Sequence, residues 1–231
     1  MLSLSSHVFV FDLDDTLYEE KNFVISGFKA VVSHLHRHFD LPIKTKNEIN
    51  VNLLYKYYEE NSTKVFNQLS DQWGPFPVNE LINIYRNHVP EISLAEDAEE
   101  ILIYLKGKVS LAIITDGFKE QQANKIKALG LDKFFSLKNI IINEAPQLKK
   151  PSKKCFLEVE AMFPDKKYIY IGDNINKDFI TPNKLGWDTF CIRRESGIHK
   201  STEKLSEEYY AKKIINSLTE IKNYLKGINY E

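Results

Sequence analysis

Two aspartates lie two positions apart, directly after a short apolar segment near the start of the chain. Asp12 and Asp14 follow the run from His7 to Phe11, whose β-branched and aromatic residues are typical of a buried strand. A spacing of two can turn both carboxylates toward the same side. Because such carboxylates repel each other, a cation or different surroundings must separate their roles. The pattern favours carboxylate chemistry over the alternative, an acidic turn that only ends the strand.

A second group of polar residues ends the apolar run AIITDG. Thr115 follows the predicted strand, and Asp116 and Gly117 lead into a predicted helix. A hydroxyl together with backbone N–H groups at the start of a helix suits a phosphate oxygen. Thr and Asp are also common helix caps, so this segment alone is weak evidence for a phosphate site.

A lysine precedes a proline in the segment LKKPSKKCF. Lys150 is the lysine fixed next to Pro151, and its charge could neutralise a phosphoryl group. Lys149 precedes it, so the neighbouring lysine is the alternative assignment. A solvated lysine in a basic loop is the structural alternative for both.

A further pair of carboxylates occurs in the segment YIYIGDNINKD. Asp173 follows another apolar run, Gly172 permits a tight turn, and Asp178 lies five positions after Asp173. Hard carboxylate oxygens are the ligands that Mg²⁺ prefers, which makes this segment a candidate metal site. Turn formation and helix capping would explain the same residues without a metal.

The elements around these segments alternate between apolar strands and amphipathic helices after Pro90. This alternation predicts an α/β fold, a Rossmann-like parallel sheet with helices on both faces. Residues 18–90 carry helical periodicity throughout and predict an inserted all-helical domain, which leaves 1–17 and 91–231 as the α/β core. The four polar segments all follow strands, at the edge of a parallel sheet where ligands bind. The tail from Ile214 onward is predicted to be a last helix.

Composition excludes several classes of protein. The 231 residues carry a formal net charge of −1, which gives no electrostatic reason to expect a nucleic-acid partner. No apolar run is long enough to span a membrane, and no signal peptide is apparent. The two cysteines form no disulfide framework, so a cytoplasmic protein is expected, either a monomer or a homodimer.

The four segments, in this order, resemble the motifs of the haloacid dehalogenase-like superfamily of hydrolases. FDLDDTL resembles the first motif, Thr115 in IITDG the second, Lys150 in KPSKKCF the third and GDNINKD the fourth. The predicted helical insert resembles the cap domain of the subgroup whose cap follows the first strand. The sequence departs from the family's pattern at Asp116, where asparagine is common.

The resemblance implies a role for each of these residues. Asp12 would attack phosphorus and become phosphorylated, and Asp14 would act as general acid and then general base. Thr115 and Lys150 would hold the phosphoryl oxygens, with Asp116 and Gly117 beside the substrate. Mg²⁺ would be held by the residues of the first and fourth motifs: the carboxylate of Asp12, the backbone carbonyl of Asp14, Asp173 and, as a ligand or an orienting group, Asp178.

One residue distinguishes the reaction classes within this resemblance. The dehalogenase branch lacks an aspartate two positions after the nucleophile, so Asp14 favours a phosphatase. A lid over the site favours a small phosphorylated metabolite, such as a sugar phosphate or a nucleoside monophosphate. A phosphomutase and a non-catalytic binding protein on the same fold are the alternatives.

Two groups of residues in the insert are interpreted as structural. His34, His36 and His38 include a pair at helical spacing, but no third metal ligand is visible in the sequence. Tyr55, Tyr57 and Tyr58 are expected to pack between helices.

Overall fold

A six-stranded parallel sheet forms the centre of the larger part of the chain. The computed structural model describes residues 4–194, 197 and 205–228. The strands lie in the order β3-β2-β1-β4-β5-β6, and every neighbouring pair is parallel. Their bounds are β1 His7–Phe11, β2 Ser110–Asp116, β3 Ile140–Asn143, β4 Lys167–Gly172, β5 Asp188–Ile192 and β6 Lys213–Ile215. The predicted Rossmann-like parallel sheet is confirmed.

Ten helices are present in the described residues. The first five are α1 Glu20–His38, α2 Ile43–Glu48, α3 Val51–Asn61, α4 Val65–Trp73 and α5 Val78–Asn87. The other five are α6 Glu96–Leu105, α7 Lys119–Ala128, α8 Lys153–Met162, α9 Ile180–Lys184 and α10 Ile221–Ile228. None of these helices combines the length and the apolar character that crossing a bilayer requires.

The chain divides into two compact units. One comprises Met1–Glu20 with Ser93–Glu231, and the other comprises Lys21–Ile92. The smaller unit is helical and has a core of its own, because aliphatic and aromatic residues repeat at three- and four-residue spacing along its helices. Tyr57 is buried in that core, where its hydroxyl donates a hydrogen bond to Gln72 Oε1 at 2.6 Å.

The core of the larger unit contains the sheet and the helices packed on it. Strand β1 is buried along its whole length, because neighbouring strands and helices cover both of its faces. Its last residue, Phe11, is in register with Ile113 of β2 and Ile171 of β4. The strand that carries the first motif therefore lies between the strands that carry the second and fourth motifs.

The predicted C-terminal helix is wrong in its first part. Ile214 and Ile215 belong to β6, which pairs with β5 at the edge of the sheet, and the helix begins only at Ile221. The apolar spacing of IINSLTEIKNYL fits a helix when read as one segment. A capping box between Ser217 and Glu220 nevertheless starts a new helical turn after the strand.

Candidate active site

The carboxyl ends of three adjacent strands bring the predicted residues together. Asp12 follows β1, and its backbone N–H donates to the carbonyl of Ile171 at 2.8 Å. Thr115 and Asp116 are the last two residues of β2. Asp173 comes directly after β4. Parallel strands end at the same edge of the sheet, so the fold places these side chains in one region.

The side chain of Lys150 contacts the candidate nucleophile, Asp12. Its buried ammonium is 2.8 Å from each of three oxygens: Oδ1 of Asp12, Oδ1 of Asp178 and the hydroxyl of Tyr170. A lysine ammonium has three N–H donors, so these contacts use all of them. Burial alone would lower the pKa of Lys150, but the two carboxylates outweigh it and hold this pKa well above its usual value. Of the two adjacent lysines, Lys150 is the one that reaches Asp12.

Burial and the ammonium of Lys150 shift the pKa of Asp12 in opposite directions. Burial raises the pKa of Asp12 to about 6, and the ammonium of Lys150 opposes that rise. Asp12 therefore remains mostly ionised at neutral pH, as a nucleophilic carboxylate must be.

Three carboxylates form the only cluster in the described residues that could hold a metal ion. One oxygen from each of Asp12, Asp173 and Asp178 lies within 4.8 Å of the others. Burial, together with the charges of Asp178 and Asp12, raises the pKa of Asp173 to about 9. A cation would relieve this repulsion, and hard carboxylate oxygens suit Mg²⁺, so the residues fit the metal that the sequence predicts.

Asp178 is more constrained than the other two carboxylates. Its Oδ1 accepts from Lys150, and its Oδ2 accepts from the backbone N–H of Asn174 at 2.9 Å. Burial raises the pKa of Asp178, but Lys150 and Lys177 outweigh that effect and lower it. Asp178 is therefore placed to orient Lys150 as well as to face a cation.

Gly172 permits this arrangement by its lack of a side chain. A Cβ at this position would lie 2.6 Å from Oδ2 of Asp178, which is closer than atoms can approach. The sequence predicts that Gly172 serves a tight turn. Its backbone is not among the glycines with positive φ, so close approach of Asp178 explains the glycine better.

Asp14 is held by donors from two other parts of the chain. Oδ1 of Asp14 lies 2.7 Å from the ammonium of Lys125, and the hydroxyl of Tyr18 also donates to it. Its Oδ2 accepts from Nε2 of Gln122 at 2.9 Å. Burial would raise the pKa of Asp14, but Lys125, Tyr18 and Gln122 together hold it below its usual value. In this arrangement Asp14 is a carboxylate.

The side chains of Thr115 and Asp116 also form hydrogen bonds with neighbouring residues. Oγ1 of Thr115 accepts from Nε2 of Gln122 at 2.6 Å. Oδ1 of Asp116 accepts from the backbone N–H of Lys150 at 3.2 Å and from Nδ2 of Asn143 at 3.1 Å. Asp116 thus links β2 to β3 and to the segment that carries Lys150.

The backbone N–H of Gly117 is not available for a phosphate oxygen in this structure, although the sequence predicts free N–H groups at this turn. That N–H donates to the carbonyl of Asn143 at 3.1 Å. A Cβ on Gly117 would lie 3.0 Å from Cδ and Cγ of Gln122. The glycine therefore gives Gln122 the space it needs to reach Thr115 and Asp14.

A small cavity opens among these residues. Its volume is about 90 Å³, and it is lined by Asp12, Asp14, Glu20, Thr115, Asp116, Asp173 and Lys177. Burial and the charge of Asp14 raise the pKa of Glu20 to about 8. The cavity is far smaller than the roughly 300–1,000 Å³ of pockets that enclose a whole drug-sized ligand. It suits a single reacting group rather than an entire substrate.

A family model agrees with the motif order and the sheet. The model for haloacid dehalogenase-like hydrolases matches residues 9–192. The chain belongs to the haloacid dehalogenase-like hydrolases. The predicted family is confirmed, and with it the prediction that the chain is an enzyme of the hydrolase class.

Two curated relatives of this hydrolase are named as phosphatases. A glyceraldehyde 3-phosphate phosphatase from Methanocaldococcus jannaschii is 29% identical over 228 residues, which cover 95% of this chain and 96% of the relative. A protein of the same name from Methanopyrus kandleri is 24% identical over 200 residues, which cover 80% of this chain and 83% of the relative. Both agree with the predicted phosphatase branch.

Two solved structures share the fold of this chain. The HAD-hydrolase YfnB from Bacillus subtilis, bound to magnesium, has a TM-score of 0.69 at 21% identity and covers 96% of this chain and 99% of its own. A 2-haloacid dehalogenase from Pseudomonas syringae has a TM-score of 0.62 at 16% identity. The match covers 96% of this chain and 99% of the dehalogenase chain. Because a dehalogenase has the same fold, the fold does not identify the reaction, and the activity of this hydrolase must be argued from its site.

Several side chains of the site were not anticipated from the sequence. Gln122 and Lys125 are both buried on α7, where Ile126 is the other buried residue. Such a polar buried face on a helix is unusual, but burial is a property of the folded chain and is not visible in the sequence. Tyr170 is hidden within an apolar strand. Arg194, which follows β5, does not line the cavity; it pairs with Asp97 at 3.0 Å and donates to the carbonyl of Thr16.

Proposed function

We propose that this hydrolase is a Mg²⁺-dependent phosphatase that acts on a small sugar phosphate through an aspartyl-phosphate intermediate. The observation that carries the proposal is the contact between the buried Lys150 ammonium and Oδ1 of Asp12 at 2.8 Å. This contact favours the ionised form of a buried carboxylate that belongs to the cluster of acidic oxygens. An ionised carboxylate at the centre of the site is what nucleophilic attack on phosphorus needs.

The reaction divides into two displacements at phosphorus. In the first, Asp14 is protonated: an oxygen of Asp12 bonds to phosphorus, the bond to the ester oxygen breaks, and the departing oxygen takes the proton from Asp14. In the second, Asp14 takes a proton from water, and the resulting hydroxide displaces Asp12 and gives orthophosphate. The contacts of Asp14 with Lys125 and Gln122 support the second role, because they hold it as a carboxylate.

The remaining residues of the site bind the phosphoryl group or the metal, or orient Asp12. Thr115 lines the cavity, and the ammonium of Lys150 contacts both Asp12 and Asp178. Asp12 and Asp173, with the backbone carbonyl of Asp14, would hold Mg²⁺ while Asp178 orients them. When bound, the metal would supply positive charge to the phosphoryl oxygens.

The substrate class rests on the relatives and on the size of the cavity. Both curated relatives carry the name of a triose phosphate phosphatase, and one of them aligns over 95% of this chain. The cavity of about 90 Å³ accepts the phosphoryl group, which leaves the sugar outside it. Glyceraldehyde 3-phosphate is therefore the first compound to test.

The test is phosphate release by wild type and by Asp12→Asn. The panel contains glyceraldehyde 3-phosphate, other sugar phosphates, nucleoside monophosphates and an aryl phosphate, each with and without Mg²⁺. We expect phosphate release that requires both Mg²⁺ and Asp12. The rate of release by the variant should be at least about 10³-fold lower than that of wild type. Isomerisation of a sugar phosphate without net release would indicate a phosphomutase. Release that persists in Asp12→Asn would reject the aspartyl-phosphate.

A further inference from the structure

Lys177 is the only basic residue among those that line the cavity in the described part of the chain. The other lining residues are Thr115 and five acidic residues: Asp12, Asp14, Glu20, Asp116 and Asp173. A phosphate ester that enters such a cavity meets acidic residues on most sides. A cation within the cavity wall is therefore needed in addition to any bound metal.

Lys150 does not meet this need in the arrangement seen here. Its side chain is fully buried, and its ammonium donates to Asp12, Asp178 and Tyr170 at 2.8 Å each. These three oxygens match the three donors of an ammonium group. A phosphoryl oxygen would have to displace one of them in order to bind Lys150.

Lys177 differs from Lys150 in both exposure and pairing. Its side chain is 30% exposed, and its ammonium lies 3.6 Å from Oδ2 of Asp116. That separation is longer than a hydrogen bond, so the attraction is electrostatic and leaves the donors able to turn toward a ligand. Asp116 is itself fixed by the N–H of Lys150 and by Asn143, so it holds Lys177 at the cavity without enclosing it.

The backbone at Lys177 is also well defined. The carbonyl of Asn174 accepts from the N–H groups of Lys177 at 3.2 Å and Asp178 at 2.9 Å. Oδ1 of Asn174 accepts from the N–H of Asn176 at 3.0 Å, which closes the preceding turn. The turn that places Asp178 against Lys150 therefore also fixes where the Lys177 side chain starts.

We propose that Lys177 binds a non-bridging oxygen of the substrate's phosphoryl group and, after hydrolysis, an oxygen of orthophosphate. This assignment rests on the proposed phosphatase function. Lys150 then orients the nucleophile, while Lys177 provides the direct cationic contact. The two lysines divide between them the work that a single lysine would otherwise do.

The experiment compares Lys177→Gln, which removes the charge, with Lys177→Arg, which keeps it. Lys184→Gln is the matched control, because it removes the same charge from a side chain that is 59% exposed and paired with Glu208. Two quantities are measured in the presence of Mg²⁺: phosphate release from the best substrate, and the affinity for orthophosphate by calorimetry. Thermal unfolding of each variant checks that it is folded.

We expect Lys177→Gln to weaken orthophosphate binding by about 10- to 100-fold, the size of a lost charge-assisted hydrogen bond, and to lower kcat/KM by a similar factor. Lys177→Arg should recover most of both, and Lys184→Gln should match wild type. A purely structural lysine would not change orthophosphate affinity in a folded variant. Affinity and kcat/KM within about twofold of wild type in Lys177→Gln would overturn the assignment.

The two levels of the proposal fail differently. If wild type releases phosphate and Lys177→Gln binds orthophosphate normally, the phosphatase stands and the role of Lys177 falls. If wild type releases none but binds orthophosphate in a manner that requires Lys177, the anion site stands and the phosphatase falls. If wild type neither releases phosphate nor binds orthophosphate with Mg²⁺, both fall.

Discussion

The ammonium of Lys125, buried on α7, lies 2.7 Å from Oδ1 of Asp14. Asp14 is the residue proposed to donate a proton to the leaving group and then to take one from water. An ammonium group at this distance favours the carboxylate form of Asp14 and fixes the direction of its side chain. Lys125 is thus a positioning residue that favours the second of these two roles.

Replacement of Lys125 by Met should lower kcat more than it changes KM. The variant leaves Asp14 without its cation, and a misplaced acid or base costs up to about 10²-fold in rate. We expect a loss of about 10- to 100-fold in kcat and about 1.5–3 kcal/mol in the free energy of unfolding. Steady-state kinetics and urea denaturation measure the two effects.

Lys127→Met is the matched control for that variant. Lys127 lies two positions further along α7 and is exposed, so both quantities should stay close to wild type. Wild-type kcat in a well-folded Lys125→Met would show that Asp14 does not depend on Lys125.

Gln122 should be intolerant of a negative charge. Its Nε2 donates to Oδ2 of Asp14 at 2.9 Å and to Oγ1 of Thr115 at 2.6 Å. In Gln122→Glu a carboxylate would face that of Asp14, and both donor contacts would be lost. We expect kcat/KM to fall by about tenfold or more and stability to fall by about 1–3 kcal/mol.

The neighbouring glutamine provides the comparison for that substitution. Gln121 is half-buried on the same helix and does not line the cavity, so Gln121→Glu should keep wild-type kcat/KM. Equal losses in the two variants would point to a general effect of charge on α7.

The sheet and the motif residues were predictable because each strand is a short apolar run that ends in polar residues. Asp12, Thr115 and Asp173 follow such runs, so their meeting at one edge follows from parallel topology. Strand β6 was missed because it has only three residues, and Ile214 and Ile215 also fit the helical spacing of the tail.

The supporting side chains were beyond sequence reasoning for a different reason. Gln122 and Lys125 reach Asp14 across more than 100 positions of the chain, and no local pattern encodes such a contact. The same holds for Tyr170, whose hydroxyl reaches Lys150 from inside an apolar strand. The hydrogen-bond needs of a buried polar group predict that it has partners, but they do not identify them.

Mg²⁺ should stabilise the protein through the cluster of Asp12, Asp173 and Asp178. A cation that binds only the folded state adds about 2.7 kcal/mol at 100 times its Kd, which corresponds to roughly 5–10 °C in Tm for a chain of this size. Removal of Mg²⁺ with EDTA should reverse the shift and abolish phosphate release. Thermal unfolding with and without Mg²⁺ measures the effect independently of activity.

Asp173→Asn should abolish most of the Mg²⁺-induced rise in Tm, because an amide in place of this carboxyl group can offer no negative charge to the cation. Asp132→Asn, at an exposed position, should keep the full rise. A rise that survives in Asp173→Asn would place the metal elsewhere.

Gly172→Ala should disrupt the site through Asp178. The added Cβ would lie 2.6 Å from Oδ2 and 2.9 Å from Cγ of Asp178, so that carboxylate must move away from Lys150 and from the N–H of Asn174. Overpacking of this kind costs about 1–3 kcal/mol. The disturbance reaches Asp12 through Lys150, so we expect kcat to fall by at least about tenfold.

Gly107→Ala is the control that distinguishes the clash with Asp178 from the general effect of replacing a glycine. Gly107 has φ +75°, but a Cβ there meets no atom within 4 Å. Gly107→Ala should therefore lower the free energy of unfolding by only about 1 kcal/mol, through backbone strain, and leave kcat unchanged. If Gly172→Ala keeps wild-type kcat, Asp178 tolerates displacement, and its contact with Lys150 is not needed to align the nucleophile.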